Sequence, residues 1–142
     1  MAAYFGGLCM ELTCRCGNFS IEWISKKEEH IARQCSCDYC KNSKAEFLSD
    51  PESTVFLKVR FEKEHKIIKH GHETAEFHEC IHCGVVIITS RIQGDDYCVL
   101  NGKSLDVPNY RLDPILSEYD GETLKERLQR RQKNWCKLRV RI

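Results

Sequence analysis

Cysteine is the residue with the clearest chemical potential in this sequence: there are ten among 142 residues, and seven of them fall into three short clusters. The clusters read Cys14-Arg15-Cys16-Gly17, Cys35-Ser36-Cys37-Asp38-Tyr39-Cys40 and Cys80-Ile81-His82-Cys83-Gly84. Zinc takes thiolate sulfurs at about 2.3 Å in a tetrahedron, and a short turn between two cysteines directs both sulfurs toward one point. The clustering therefore predicts a metal protein rather than a set of buried free thiols.

The first and third clusters each end in glycine, which readily adopts a tight or left-handed backbone conformation. The shared pattern predicts one closed four-sulfur site formed by Cys14, Cys16, Cys80 and Cys83. The 63 residues between Cys16 and Cys80 far exceed the roughly 15–20 that separate the two pairs in a simple zinc ribbon. We therefore expect the metal to join distant parts of a β domain.

The middle cluster supplies three sulfurs, and its spacing leaves two interpretations open. Cys35, Cys37 and Cys40 either hold a metal with one open position, as catalytic zinc sites do, or share it with a fourth ligand from elsewhere in the chain. The possible fourth ligands are Cys9, Cys98, Cys136 or a histidine. None of the six histidines is assigned to either metal site.

Charge and hydropathy exclude several classes of function. The formal net charge of +1 argues against a general nucleic-acid binder, which is usually strongly basic. No apolar run approaches the roughly 20 residues of a membrane helix. The first residues lack the basic and apolar regions of a signal peptide, so we expect a cytoplasmic protein, or a nuclear one, with reduced thiols.

The patterning of the chain predicts a mainly β fold in a single zinc-binding domain over residues 1–142, with its core at about 8–125. Strands are predicted at 19–24, 31–34, 54–59, 66–69, 74–77, 85–89 and 97–100. Residues 85–89 form a continuous apolar run, which predicts a strand buried on both faces. Residues 121–135 have helical spacing and open a predicted basic helical tail over about 121–142, either a solvated surface or a contact for an acidic partner.

The order of the three motifs, C-x-C-G, C-x-C-x-x-C and C-x-x-C-G, resembles the glutathione-dependent formaldehyde-activating enzyme family, which includes the centromere protein V relatives. The resemblance covers roughly residues 8–125 and extends to 99–106 and to Asp120-Gly121. Ser36 departs from the family pattern, in which histidine is frequent at that position.

The resemblance implies an Mss4-like fold of antiparallel β-sheets joined by zinc, with two zinc ions per chain. It assigns the structural zinc to Cys14, Cys16, Cys80 and Cys83, and a labile or catalytic zinc to Cys35, Cys37 and Cys40. It also implies a carbon–sulfur lyase-type activity, in which glutathione or a similar thiol adds to formaldehyde or a related aldehyde and gives an S-hydroxymethyl adduct. The implied partners are therefore a small thiol and an aldehyde.

Glutathione is anionic, so an enzyme of this kind needs basic and hydrogen-bonding groups beside the metal. The residues nearest to the clusters that offer such groups are Arg15, Tyr39, Lys41, Asn42 and Lys44. Each of the five also has the plainer interpretation of an ordinary surface residue.

Two other functions compete with the enzyme hypothesis. In the first, zinc only stabilises the fold of a non-catalytic binding module for a macromolecular partner, because fold alone does not determine function. In the second, the protein buffers metal or redox equivalents and also uses Cys9, Cys98 and Cys136.

Overall fold

The computed structural model describes residues 8–35, 44–70, 74–115, 117, 119 and 121–141, and strands predominate in them. The strands are β1 (Leu8–Thr13), β2 (Phe19–Ser25), β3 (Ile31–Ala32), β4 (Phe47–Leu48), β5 (Thr54–Val59), β6 (His65–His70), β7 (Ala75–Cys80), β8 (Gly84–Ile92), β9 (Asp95–Asn101), β10 (Arg111–Leu112) and β11 (Cys136–Arg141). A 3-10 helix spans Glu62–Glu64, and helix α1 spans Leu124–Asn134. The predicted fold class, mainly β with a short C-terminal helix, is confirmed.

Nine of these strands form one sheet in the order β1-β2-β5-β11-β9-β8-β7-β6, with β4 paired to β9. The neighbouring strands are antiparallel except β5 and β11, which run parallel, so the predicted antiparallel sheet is in fact mixed. Strands β3 and β10 form a separate parallel pair. Among the described residues no helix has the length and apolarity needed to cross a bilayer.

The main sheet is strongly curled. Strands β2 and β6 are six strand spacings apart in its order, which would be about 29 Å in a flat sheet. Yet the rings of Phe19 on β2 and His65 on β6 have centroids 5.0 Å apart. The curl therefore brings the two ends of the sheet together.

Two apolar clusters pack on opposite faces of strands β8 and β9. The metal-side cluster includes Leu12, Cys14, Phe19, Ile21, Trp23, Leu48, Val55, Leu57, Cys80, Val86, Ile87, Cys98, Leu100, Leu105, Cys136 and Leu138. The helix-side cluster comprises Ala45, Ala75, Phe77, Val85, Ile88, Ile92, Tyr97, Val99 and Trp135, with Cys35, Phe47, Ile68 and Leu128 packed against it. On β9, Cys98 and Leu100 belong to the first cluster and Tyr97 and Val99 to the second, as side-chain alternation requires.

Strand β8 is buried on both faces, as its apolar run predicts, with residues 85–90 all buried. The strands predicted at 19–24, 54–59 and 97–100 correspond to β2, β5 and β9. Strand β5 has the predicted bounds, β2 is one residue longer, and β9 begins two residues earlier and ends one residue later. The strands predicted at 31–34, 66–69 and 74–77 correspond to β3, β6 and β7. Strand β1 was not predicted, although it pairs with β2 along all six of its residues.

The prediction of a helical tail to residue 142 is wrong beyond Asn134. Helix α1 begins after a capping box, in which the side chains of Thr123 and Glu126 each accept from the other residue's backbone N–H. It ends at Asn134, because Cys136–Arg141 is a strand inserted between β5 and β9. Cys136 and Leu138 are buried while Lys137 is exposed, a period of two that favours a strand. The core therefore extends past residue 125.

Three of the basic side chains in this C-terminal region contact the protein itself. Arg130 makes a bidentate pair with Glu122 at 2.8 and 3.1 Å, and Arg127 lies 3.7 Å from the same carboxylate. Arg131 is buried. The Glu122 pairs lie at the start of the helix, whereas Arg131 holds α1 against the sheet by donating to the hydroxyls of Thr74 and Ser90. Leu128 adds an apolar contact with the helix-side cluster.

We predict that Leu138→Ala lowers the free energy of unfolding by about 2–5 kcal/mol, because it removes a buried side chain from the central strand β11. The control is Lys137→Ala, which changes an exposed side chain on the same strand and should shift stability by less than about 0.5 kcal/mol. Urea unfolding followed by tryptophan fluorescence measures both. Equal stability of the two variants would contradict the central position of β11.

Candidate metal centre

Two tight turns present the cysteines of the predicted closed site. The turn between β1 and β2 carries Cys14 and Cys16, and the Gly17 N–H donates to the Cys14 carbonyl at 2.9 Å. The turn between β7 and β8 carries Cys80 and Cys83, and the Cys83 N–H donates to the Cys80 carbonyl at 3.2 Å.

The glycine that ends each cluster has the left-handed backbone conformation that the sequence predicts. Gly17 has φ of +82° and Gly84 has φ of +85°, values that residues with a Cβ rarely adopt. Each glycine reverses the chain directly after the second cysteine of its turn, so both sulfurs of the turn remain on the inner side of the bend.

The four sulfurs of Cys14, Cys16, Cys80 and Cys83 lie within 4.8 Å of one another. The Cys16 sulfur is 3.7 Å from that of Cys14 and 3.4 Å from that of Cys80. A tetrahedral zinc site with bonds of about 2.3 Å has sulfur–sulfur edges of about 3.8 Å. The four sulfurs therefore lie close enough together to hold a single tetrahedral metal ion.

Backbone N–H groups donate to two of these sulfurs. The Phe19 N–H donates to the Cys14 sulfur at 3.3 Å, and the Cys16 N–H donates to the Cys83 sulfur at 3.4 Å. The second bond crosses between the two turns, so it aligns them with each other. Such outer contacts orient metal ligands and tune their basicity.

Cys14, Cys16 and Cys80 differ in their readiness to ionise. Burial raises the pKa of Cys14 and raises that of Cys80 to about 12. The N–H of Asn18 and the neighbouring thiols of Cys80 and Cys83 lower the pKa of Cys16, which is exposed, to about 7. Cys14 and Cys80 resist ionisation, whereas Cys16 ionises more readily. Full deprotonation of the site therefore requires a bound cation.

Buried side chains fix the first turn against the loop before β6. The Asn18 amide is 2% exposed; its oxygen accepts from the Phe61 N–H, and its nitrogen donates to the Phe61 carbonyl at 3.2 Å. On the other turn, the Ile81 N–H donates to the Glu64 carbonyl at 3.0 Å. Both cysteine turns are therefore anchored to the same short segment around the 3-10 helix.

A second anchor lies beyond β9. The Ser104 hydroxyl contacts the Cys83 carbonyl at 3.2 Å and the Val85 carbonyl at 2.6 Å. The buried Asn101 amide donates to the same Val85 carbonyl at 2.8 Å and to the Ser104 hydroxyl at 3.1 Å. The sequence analysis does not single out Asn101 or Ser104, because their role depends on burial against the Cys83–Val85 backbone, which the local sequence does not reveal.

The histidines near the centre form their own hydrogen-bond chain. His78, which is fully buried, is 2.8 Å from both the Thr89 hydroxyl and the His65 ring nitrogen, and His65 in turn is 3.1 Å from Glu62. His82 is 54% exposed and lies 3.4 Å from Glu64. The cluster of potential ligand atoms that the described residues bring together consists of the four cysteine sulfurs.

The predicted second zinc site lies mostly outside the described residues. Two of its ligands, Cys37 and Cys40, lie outside the described residues. Cys35 is described: it is half-buried and pairs with Ser117 in an isolated β-bridge. Among the predicted substrate contacts, Tyr39, Lys41 and Asn42 also lie outside. This site therefore stays a prediction.

The remaining two substrate-contact predictions fall on described residues. Arg15 is exposed and lies between Cys14 and Cys16 in the first turn. Lys44 is exposed with φ of +55°. Neither position tests a role in binding glutathione.

Two of the possible fourth ligands for the middle cluster are excluded by their position. Cys98 and Cys136 face each other across β9 and β11 in the metal-side cluster, and both are fully buried. Cys35 packs against the helix-side cluster, on the opposite face of β8 and β9. Neither thiol can therefore reach a metal bound at Cys35 without disrupting the sheet.

Fold and centre together define a mainly β protein with a four-cysteine cluster that can hold a metal ion. No protein-family model matches the chain, and no curated protein matches it. Among solved structures, it is similar to a crystal structure of a Rhodobacter sphaeroides protein from a structural genomics programme, with 23% sequence identity and a TM-score of 0.49. The match covers 73% of this chain and 100% of that one.

We predict that Cys80→Ser abolishes metal binding at the centre and removes the cooperative melting transition, because the metal's binding energy is also folding energy. Cys9→Ser is the matched control, since Cys9 lies in β1 outside the four-sulfur cluster. Elemental analysis and differential scanning fluorimetry measure the two effects. Wild-type metal content and melting in Cys80→Ser would show that the pairing of the two turns is wrong.

We also predict that zinc affinity at the centre rises steeply with pH. The pKa values of Cys14 and Cys80 both lie above the usual thiol value, so zinc binding below pH 9 must release at least two protons. Two released protons lower the apparent Kd about 100-fold for each pH unit. A chelator-competition titration at pH 6.5 and 7.5 measures this ratio, and a ratio below about 10 would contradict protonated thiols in the metal-free site.

Proposed function

We propose that the protein is a zinc protein whose four-cysteine centre is structural. The convergence of Cys14, Cys16, Cys80 and Cys83 within 4.8 Å carries this proposal. Four protein ligands fill a tetrahedral zinc and leave no position for a substrate, which is typical of structural sites. The centre joins the β1–β2 turn to the β7–β8 turn and so supports the curl of the sheet.

We further propose that a second zinc, held by Cys35, Cys37 and Cys40, is the site of the reaction that the family resemblance implies. The order of the three cysteine motifs supports this proposal. So does the position of Cys35, which is half-buried on the helix side of the sheet and separated from the buried thiols of Cys98 and Cys136. Three thiolates leave one coordination position for a reactant.

The proposed reaction is the addition of glutathione to formaldehyde. The sulfur of glutathione forms a bond to the carbonyl carbon, the carbon–oxygen double bond becomes single, and the thiol proton ends on the oxygen. No oxidant or reductant takes part, and the reverse reaction breaks the same carbon–sulfur bond, as expected of a lyase. Zinc at such a site would lower the pKa of a bound thiol and so supply the nucleophile near neutral pH.

The experiment compares zinc content and catalysis in matched cysteine variants. For the wild-type protein we expect two zinc ions by native mass spectrometry, and one for Cys40→Ser with an unchanged melting temperature. The rate of S-hydroxymethylglutathione formation, followed by exchange NMR with ¹³C-formaldehyde, should exceed the spontaneous rate for the wild type only. Lys137→Ala, which changes an exposed side chain outside both sets of cysteines, is the control and should match the wild type in both measurements.

Different outcomes identify different errors. If the wild type and Cys40→Ser each bind one zinc ion and neither accelerates the reaction, the second zinc site is refuted. The zinc-stabilised binding module then becomes the preferred function. Two zinc ions with no acceleration would keep the metal site and refute the aldehyde reaction. No zinc in the wild type would refute the structural centre itself.

A further inference from the structure

Cys16 is the member of the four-sulfur cluster that a reagent from solution can reach. Among the eight cysteines that the structure describes, Cys16 is the exposed one, whereas Cys14 and Cys80 are each 1% exposed and Cys83 is half-buried. A thiolate reacts with a dissolved oxidant only where the oxidant can approach its sulfur. The cluster is therefore open to attack at the first turn, through Cys16.

A sulfur of the other turn lies beside the exposed one. The Cys16 sulfur is 3.4 Å from that of Cys80 and 3.7 Å from that of Cys14. The Cys16 N–H also donates to the Cys83 sulfur, so the two turns are held side by side at this point. A disulfide bond is about 2.0 Å long, so the sulfurs of Cys16 and Cys80 need to approach by about 1.4 Å.

We propose that Cys16 is an oxidation site, where hydrogen peroxide attacks and Cys80 then closes a disulfide between the two turns. The Cys16 thiolate takes one oxygen from the peroxide, becomes a sulfenic acid and releases hydroxide. The Cys80 thiolate then attacks the Cys16 sulfur, forms the sulfur–sulfur bond and releases a second hydroxide. Two thiolates lose two electrons, the peroxide gains them, and the two hydroxides take up two protons to give water.

This disulfide removes the metal site but keeps the junction between the turns. It leaves two thiolates, Cys14 and Cys83, where a closed tetrahedral zinc site needs four ligands. Because Cys16 and Cys80 are 64 residues apart and lie in different turns, the bond between them replaces the link that a metal ion provides. A disulfide within either turn would release the ion and leave the two turns unlinked.

The inference rests on the proposed structural zinc centre and does not depend on the aldehyde reaction. Zinc content is therefore measured before any peroxide is added. If the wild type holds no zinc, the structural centre is refuted together with this inference. If it holds zinc but forms no disulfide between Cys16 and Cys80, only this inference is refuted.

The test treats zinc-loaded full-length protein with one to ten equivalents of hydrogen peroxide and then blocks the remaining thiols with N-ethylmaleimide. Peptide mass spectrometry without reduction locates the disulfide. Trypsin cleaves after Arg15, so Cys14 and Cys16 fall on separate peptides, and fragmentation distinguishes Cys80 from Cys83. We expect the disulfide to join Cys16 to Cys80.

Zinc release is followed in the same titration with a chromophoric chelator. The variant Cys40→Ser lacks the proposed second site, so the ion released from it comes from the four-sulfur centre. We expect one zinc ion to be released for each disulfide formed between Cys16 and Cys80. Zinc release from this variant while Cys16 is still blocked by N-ethylmaleimide would overturn the proposal.

Cys98 and Cys136 are the internal control for accessibility. They are neighbours across β9 and β11, as Cys16 and Cys80 are neighbours across the turns, but both are fully buried. They should remain reduced while the exposed pair is oxidised. The proposal is overturned if Cys98 and Cys136 form a disulfide first, or if Cys16 pairs with Cys14 or Cys83 instead of Cys80.

A melting experiment tests whether the disulfide replaces the metal link. Oxidised protein treated with EDTA should keep a cooperative melting transition, and reduction with a phosphine should abolish the transition until zinc is added again. Reduced protein treated with EDTA is the control and should show no cooperative transition. The same melting behaviour in the oxidised and reduced metal-free proteins would refute the retained junction.

Discussion

The constraint on which the structure depends is the convergence of four sulfurs from two turns that are far apart in the sheet. The β1–β2 turn and the β7–β8 turn lie near opposite ends of the strand order, yet their sulfurs meet within 4.8 Å. This is possible only because the sheet curls until Phe19 contacts His65. The apolar groups inside the curl include the ligands Cys14 and Cys80, so metal binding and core packing stabilise the same arrangement.

Strand β11 imposes a matching constraint from the middle of the sheet. It is the last strand in the described chain, yet it lies between β5 and β9 and connects the two halves of the sheet. Its pairing with β5 is parallel, and the chain between these two strands passes through β6 to β10 and then through helix α1. Because the first and last strands of the described chain belong to the same sheet, neither half of the sheet can complete its strand pairing without the other.

The sequence predicts the closed site well because each cysteine turn is specified by residues that are close together in the chain. Two cysteines and a glycine within four or five residues fix each turn, and equal motifs suggest their pairing. Strand β11 is harder to predict from the sequence, because five of the eight basic residues from Lys125 onward precede it in a helical segment. The signal for a strand is the alternation of Cys136, Leu138 and Val140 with basic residues. The burial of Arg131 is not predictable at all, since it depends on hydroxyls of Thr74 and Ser90, more than 40 residues away.

The two faces of β8 and β9 divide the chemistry of the protein. The metal-side face holds the four-sulfur centre and the buried thiols of Cys98 and Cys136, where burial raises the pKa of Cys98. On the helix-side face, Cys35 borders the apolar cluster, and the buried guanidinium of Arg131 donates to the hydroxyls of Thr74 and Ser90. The two faces therefore bury different polar groups, thiols on the metal side and a cation held by hydroxyls on the helix side.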